Sequence, residues 1–240
     1  MAKRCAYRFL APSEDRDIPL FEEVVQDFSW TSGRSMVAKR QQIKSLHAAL
    51  AERFPLDSIL EISTKSPNQI GVLLSAFNLR LPGAHGGIPL ESAYQAAKVF
   101  RISGSDAVLH LKHLELEGPH EAKRAAAEFR REDLLHFRYE GEVWPAHVHS
   151  LFYDYLFWIG VNASESLLAK LSTYECFTDI EFNKTKSGFQ AGKSFNTQAR
   201  SAAIARRIAD EHPFAATKQA TFEWFYTSSQ IESISPSVLF

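Results

Sequence analysis

Cysteine is scarce in this chain: of 240 residues only Cys5 and Cys176 carry a thiol, far apart and without CxxC spacing. That excludes a disulfide framework and a cysteine-built zinc site, and it fits a reducing compartment. An excess of charge is missing too, with 27 basic residues against 28 acidic ones and a formal net charge of -1. No global field favours nucleic acid or an acidic membrane, so any nucleic-acid contact is expected to be local. Long apolar runs are also absent: no window approaches the roughly 18 apolar residues of a membrane span. The opening MAKRCAYRFLAPSEDRD has no apolar region behind its early basic residues. These absences predict a soluble, cytoplasmic protein with no membrane partner.

Several catalytic signatures are missing as well. The loops GAHGG and GFQAGKS match neither G-x-x-x-x-G-K-[ST] nor a G-x-G-x-x-G turn after a strand, which removes support for a Walker-type nucleotidase. No G-x-S-x-G elbow supports a serine hydrolase. The histidines offer only loose pairs, His110 with His113 and His147 with His149, and no H-E-x-x-H spacing. No metal and no cofactor are expected.

What is present is apolar and aromatic. Hydrophobic residues make up 45% of the chain and aromatic ones 12%, ample for a sizeable core, and the default is one domain. The patterning predicts strands over 5–10 and 24–30, a helix over 37–54 stopped by Pro55, a strand in SILEIST and an extended buried run in GVLLSAFNLRL. Helices are expected over 89–100 and 106–116, and again in HEAKRAAAEFRRE. A hairpin or strand end is expected at the glycine of LHFRYEGEVWP. The aromatic segment 148–161 should be the central buried helix. Ser164 to Leu171 continues helically, YECFTDIEFN reads as extended, KTKSGFQAGKS as a mobile loop and NTQARSAAIARRIADEH as the last helix. The fold class is α+β, mostly helical with a small β-sheet.

The helix PLESAYQAAKVF has two faces. At about 100° per residue, Glu91, Tyr94, Gln95 and Lys98 share roughly a third of its circumference, with Ala93, Ala96, Ala97 and Phe100 opposite. An acid, an amine, a phenol and an amide on one face form a candidate site. Capping and dipole rules place Pro89, Glu91 and Lys98 in the same way on any solvated helix, so the pattern alone leaves both readings open.

The order of segments adds a further signal. LLSAFNLRL, PLESAYQAAKVF, PHEAKR, FTDIEFN and GKSFNTQARSAA follow one another along the chain. In that order they resemble the NADAR (YbiA-like) family over residues 60–207. Closest is the branch of antitoxins that accompany DarT-type DNA ADP-ribosyltransferase toxins, which also resembles this chain in LEISTKS, FRYEGEVWP and FTDIEF. Ala76 stands where many relatives have Asn, and Phe182 with Asn183 lies near an expected Trp-Gly. The resemblance implies a single domain over 1–240, with an N-terminal extension to residue 59, a family core over 60–212 and a tail over 213–240.

It also implies an N-glycosidase that removes ADP-ribose from guanine in DNA and so reverses toxin modification. Its partners would be ADP-ribosylated DNA, the product ADP-ribose and a DarT-type toxin. Hydrolysis of small ribosylamine metabolites, or a silent antitoxin that only binds ADP-ribose or toxin, are the alternatives. In that scheme Glu91 is the acid and base, and Lys98 is either a nucleophile forming a Schiff base at C1 or a source of positive charge. Ser63, Lys65 and Ser75, with Lys193, Ser194 and Asn196, would bind the diphosphate. Asp179 would hold ribose hydroxyls or assist Glu91, Tyr94 and Gln95 would position ribose or base, and Phe77 would stack. Lys123 and Arg124 are phosphate contacts or solvated helix residues.

Overall fold

The computed structural model describes residues 1–11, 21–54, 58–83, 86–102, 104–130, 133–182 and 197–211. Two four-stranded sheets and a two-stranded pair combine with helices, an α+β architecture. The first sheet joins β1 (Ala2–Phe9), β2 (Phe21–Phe28), β3 (Ile59–Glu61) and β10 (Cys176–Thr178) in the order β2-β1-β10-β3. β10 runs antiparallel to β1 and parallel to β3, with Thr178 opposite Glu61. Strands far apart in sequence are thus neighbours, and the register brings the LEIST and FTDIEF segments together.

Alternation along β1 sends its side chains to two cores. Ala6 joins Val24, Phe28, Cys176 and Ile180 beneath Ile43, Leu46 and Leu50 of α1 (Met36–Arg53). Ser35 caps that helix, accepting from Ala38 N. On the opposite face Cys5, Tyr7, Leu60 and Phe177 meet α5 (His149–Asn162) and α7 (Gln198–Glu211). Phe152, Phe157, Trp158 and Val161 of α5 are almost fully buried, and each such side chain stabilises the fold by about 1.5–3 kcal/mol. Asp154 lies within this apolar helix because α7 supplies its partners: the Ser201 hydroxyl donates to it at 2.6 Å, and Arg200 forms an ion pair with it.

The second sheet, β7-β6-β8-β9, comprises β6 (Lys98–Arg101), β7 (Val108–His110), β8 (Leu134–Tyr139) and β9 (Glu142–Pro145). Phe137, Tyr139 and Trp144 turn toward α5, so the aromatic helix lies in one apolar cluster with both sheets. Glu140 and Gly141 close the hairpin with φ of 48° and 92°, the left-handed pair that a two-residue turn of matching twist requires.

Three expectations change. The run 71–81 is α2 (Gln69–Leu73) followed by a turn and β4 (Arg80–Leu81), not one extended segment. Asn68 starts α2 by accepting from Ile70 N, and Asn78 folds the turn back by donating to Val72 O. Segment 106–116 is β7 plus a 3-10 turn, because Val108 and His110 pair with β6. The expected helix over 89–100 is shorter: β5 (Ile88–Pro89) leads into α3 (Leu90–Ala96), and Lys98 begins a strand. Ala97 closes the helix by donating to Ala93 O, and its own carbonyl then accepts from Arg138 of β8 at 2.7 Å. The strand formers Val99 and Phe100 continue in the sheet.

Candidate active site

Glu91 begins at its backbone. Glu91 N donates to Ala76 O at 3.0 Å and Leu90 N to Leu79 O at 2.9 Å, while Ala76 N donates to the Gln198 side chain at 2.8 Å. The LSAFN turn is therefore held between the starts of α3 and α7. Ser75 and Asn78 build that turn: the Ser75 hydroxyl donates to Val72 O at 2.7 Å and accepts from Asn78 Nδ2 at 2.9 Å.

The Glu91 side chain is buried, which settles its place on the inner side of α3. Its Oε1 accepts from Gln95 Nε2 at 2.9 Å and lies 3.7 Å from the ammonium of Lys123 on α4 (Pro119–Ala126). Both partners use the same oxygen, so Glu91 Oε2 has no hydrogen-bond partner among the described residues. The buried Gln95 Oε1 has none either. A carboxylate oxygen and an amide oxygen are both left as open acceptors, an arrangement suited to a base and to a substrate N–H or O–H.

Aromatic rings flank this carboxylate. Phe77 stacks on His120 with centroids 4.5 Å apart, and the Lys123 ammonium is 5.7 Å from the Phe77 ring. Tyr94 meets Tyr153 of α5 edge to face at 5.3 Å, and the Lys98 ammonium is 5.3 Å from the Tyr94 centroid. Burial first, and then the negative charges of Glu91 and Asp179, push the Tyr153 hydroxyl well above the ordinary tyrosine range. One buried phenol thus senses both carboxylates.

Asp179 follows β10 and is buried. Its Oδ1 accepts from Glu181 N at 3.1 Å. Burial, followed by the charge of Glu61, raises its carboxyl to about 7. Glu61, at the end of β3, is also raised, chiefly by burial, against three hydrogen bonds that favour its charged form.

Lys98 does reach the Tyr94 ring, but by a strand register that sets it opposite Phe137, not by helical spacing with Glu91. Ser63 and Ser75 use their hydroxyl hydrogens inside the fold, Ser63 donating to Glu61 at 2.8 Å. Lys65 donates its backbone N–H to Ser63 Oγ at 3.2 Å. Arg124 pairs with Glu121 at 3.9 Å on an exposed flank, apart from the Lys123 contact with Glu91. Lys193, Ser194 and Asn196 lie outside the described residues. Sequence reasoning missed His120, Tyr153 and Glu61. Tyr153 carried only the pattern of a core aromatic and His120 was one of nine histidines, whereas Glu61 lies in LEISTKS, a segment that shares in the family resemblance.

No group of histidine, cysteine and carboxylate side chains suited to a metal ion occurs among the described residues. No helix among them is long and apolar enough to cross a membrane. No curated protein matches the sequence. Residues 2–235 match the DarT1-associated NADAR antitoxins, a span that includes both sheets, α5 and every residue of the site. The chain belongs to that family of DarT-linked antitoxins.

Proposed function

We propose that this antitoxin is an N-glycosidase that removes ADP-ribose from guanine bases of DNA. The observation that carries this reading is Glu91: a buried carboxylate with one oxygen held by Gln95 and Lys123 and the other open. The bond to be broken joins C1 of the distal ribose to the exocyclic amino nitrogen of guanine. Glu91 Oε2 takes a proton from water as the water oxygen bonds to C1. The C1–N bond breaks with its electron pair passing to nitrogen, and Asp179 supplies the proton that completes the amine. ADP-ribose and intact guanine are the products. Asp179 then recovers its proton from Glu91 through solvent.

Lys98 contributes positive charge. The face of the Tyr94 ring favours the ammonium over the neutral amine, which supports direct hydrolysis over attack by the amine. The Phe77–His120 pair offers a surface on which a base can stack. Gln95 Oε1 accepts from the base or a ribose hydroxyl, and the segment containing Lys193, Ser194 and Asn196 binds the diphosphate. A near-neutral chain suits a reader of ADP-ribose that touches DNA locally.

The test is incubation with an oligonucleotide carrying ADP-ribosylated guanine, with detection of free ADP-ribose and unmodified base. Glu91→Gln and Lys98→Ala should each lower kcat by about a hundredfold or more while circular dichroism shows the native fold. Full activity in both variants refutes the site. Antitoxin function surviving in Glu91→Gln indicates a binding-only antitoxin, and preferential cleavage of a ribosylamine metabolite indicates the small-molecule reading. Borohydride during turnover should trap no adduct; a covalent adduct at Lys98 makes it the nucleophile.

A further inference from the structure

Glu61 is 1% exposed and accepts three hydrogen bonds: Ser63 Oγ at 2.8 Å, Ile180 N at 2.9 Å and Thr178 Oγ1 at 2.6 Å. Two of these donors flank Asp179 in sequence, so Glu61 grips the chain on either side of it. Arg4 grips the same turn by donating to Ile180 O at 3.1 Å. Thr178 Oγ1 also meets His47 Nε2 at 2.9 Å. A hydroxyl has one hydrogen, and Thr178 gives it to Glu61, so the imidazole donates. All three donors point at Glu61, the arrangement of an ionised carboxylate.

We propose that Glu61 is a positioning residue for Asp179, fixing the turn that carries it and facing its carboxyl with a like charge. The inference rests on the reading of Asp179 as the proton donor. The groups facing Asp179 have opposing effects. Glu61 and Glu181 raise its proton affinity, Arg4 lowers it, and Tyr7 and Tyr153 are neutral phenols that sense its charge. Glu181 is itself paired with Lys39 at 2.9 Å and about half exposed, which leaves the buried Glu61 as the dominant like charge. A donor that is still protonated near neutral pH is what the departing guanine amine requires.

Glu61→Gln tests this without removing a hydrogen bond. The amide oxygen accepts from Ser63 and Ile180, and its nitrogen donates to Thr178, whose hydrogen then turns to His47 in the opposite tautomer. The full chain, labelled at aspartate carboxyl carbons and assigned with Asp179→Asn, is titrated by NMR. In wild type Asp179 should titrate at about 7. In Glu61→Gln its proton affinity should fall roughly tenfold or more, and the alkaline limb of the kcat profile should move to lower pH with it. Asp179 titrating in the ordinary carboxylate range in wild type, or unmoved in a folded Glu61→Gln, overturns the proposal. A wild-type chain with the raised titration but no release of ADP-ribose supports the Glu61 role while rejecting the glycosidase reading.

Discussion

Polar side chains divide here by what they touch. Lys123 is 52% exposed at the side chain yet stands 3.7 Å from Glu91. Lys123→Ala should change stability by less than about 0.5 kcal/mol while raising KM for the modified oligonucleotide; denaturant unfolding and steady-state kinetics measure the two separately. Ser75 gives the reverse expectation. Its buried hydroxyl holds Val72 O and Asn78, so Ser75→Ala should cost about 1–2 kcal/mol, and circular dichroism during urea unfolding reads that loss directly. At this scale the sequence showed the residue types of the site but not their partners. Glu91 and Lys98 were paired by helical spacing, whereas Lys98 is brought in by its strand register with Phe137. Glu61 had no signal of its own, because a single acid at a strand end becomes informative only when β10 lies beside it.

At the scale of elements, two glycines mark where backbones meet too closely for a side chain. A Cβ on Gly71 would stand 1.9 Å from Glu61 O and 2.4 Å from Ser66 Oγ. Gly71→Ala must therefore push α2 off β3 and should cost about 3 kcal/mol or more, displacing Glu61 as well. On Gly160 of α5 a Cβ would meet the Leu79 side chain at 2.9 Å. That neighbour can rotate, so Gly160→Ala should cost about 1–2 kcal/mol; thermal unfolding ranks the two variants. Long elements were legible. α1, α5 and α7 emerged from periodicity or continuous apolar character over 14 to 18 residues. The Gly141 hairpin announced itself through its turn. Some short elements differed: α2 and β7, of five and three residues, stand where an extended run and a helix were expected, and α3 is shorter than the expected helix, because side-chain caps and strand pairing decide them.

For the whole molecule, buried titrating groups set how stability follows pH. Burial lowers His47 to about 4, so the folded chain binds that proton less well than the unfolded one. The stability from His47 is present above pH about 6.5 and is lost as pH falls toward 4. Asp179, raised to about 7, acts in the opposite direction: its contribution is present below pH about 4 and is lost as pH rises through 7. Between those limits the two changes oppose each other. His47→Gln should remove a loss of about 2 kcal/mol between pH about 7 and pH about 5; urea denaturation of both proteins at the two pH values checks it, and an equal loss in the variant contradicts it. The sequence alone determined the α+β class, the central aromatic helix and the ordered segments that mark the family, because these reside in local periodicity and in residue identity. The tertiary structure alone decided that α3 ends before Lys98, that Glu91 keeps one oxygen open and that Glu61 stands beside Asp179. The first two depend on contacts with β8 and α4, Lys98 opposite Phe137 and Lys123 beside Glu91, and the third on pairing between segments over 100 residues apart, Glu61 with Thr178. Such pairing follows from where the strands and helices pack and not from any spacing along the chain.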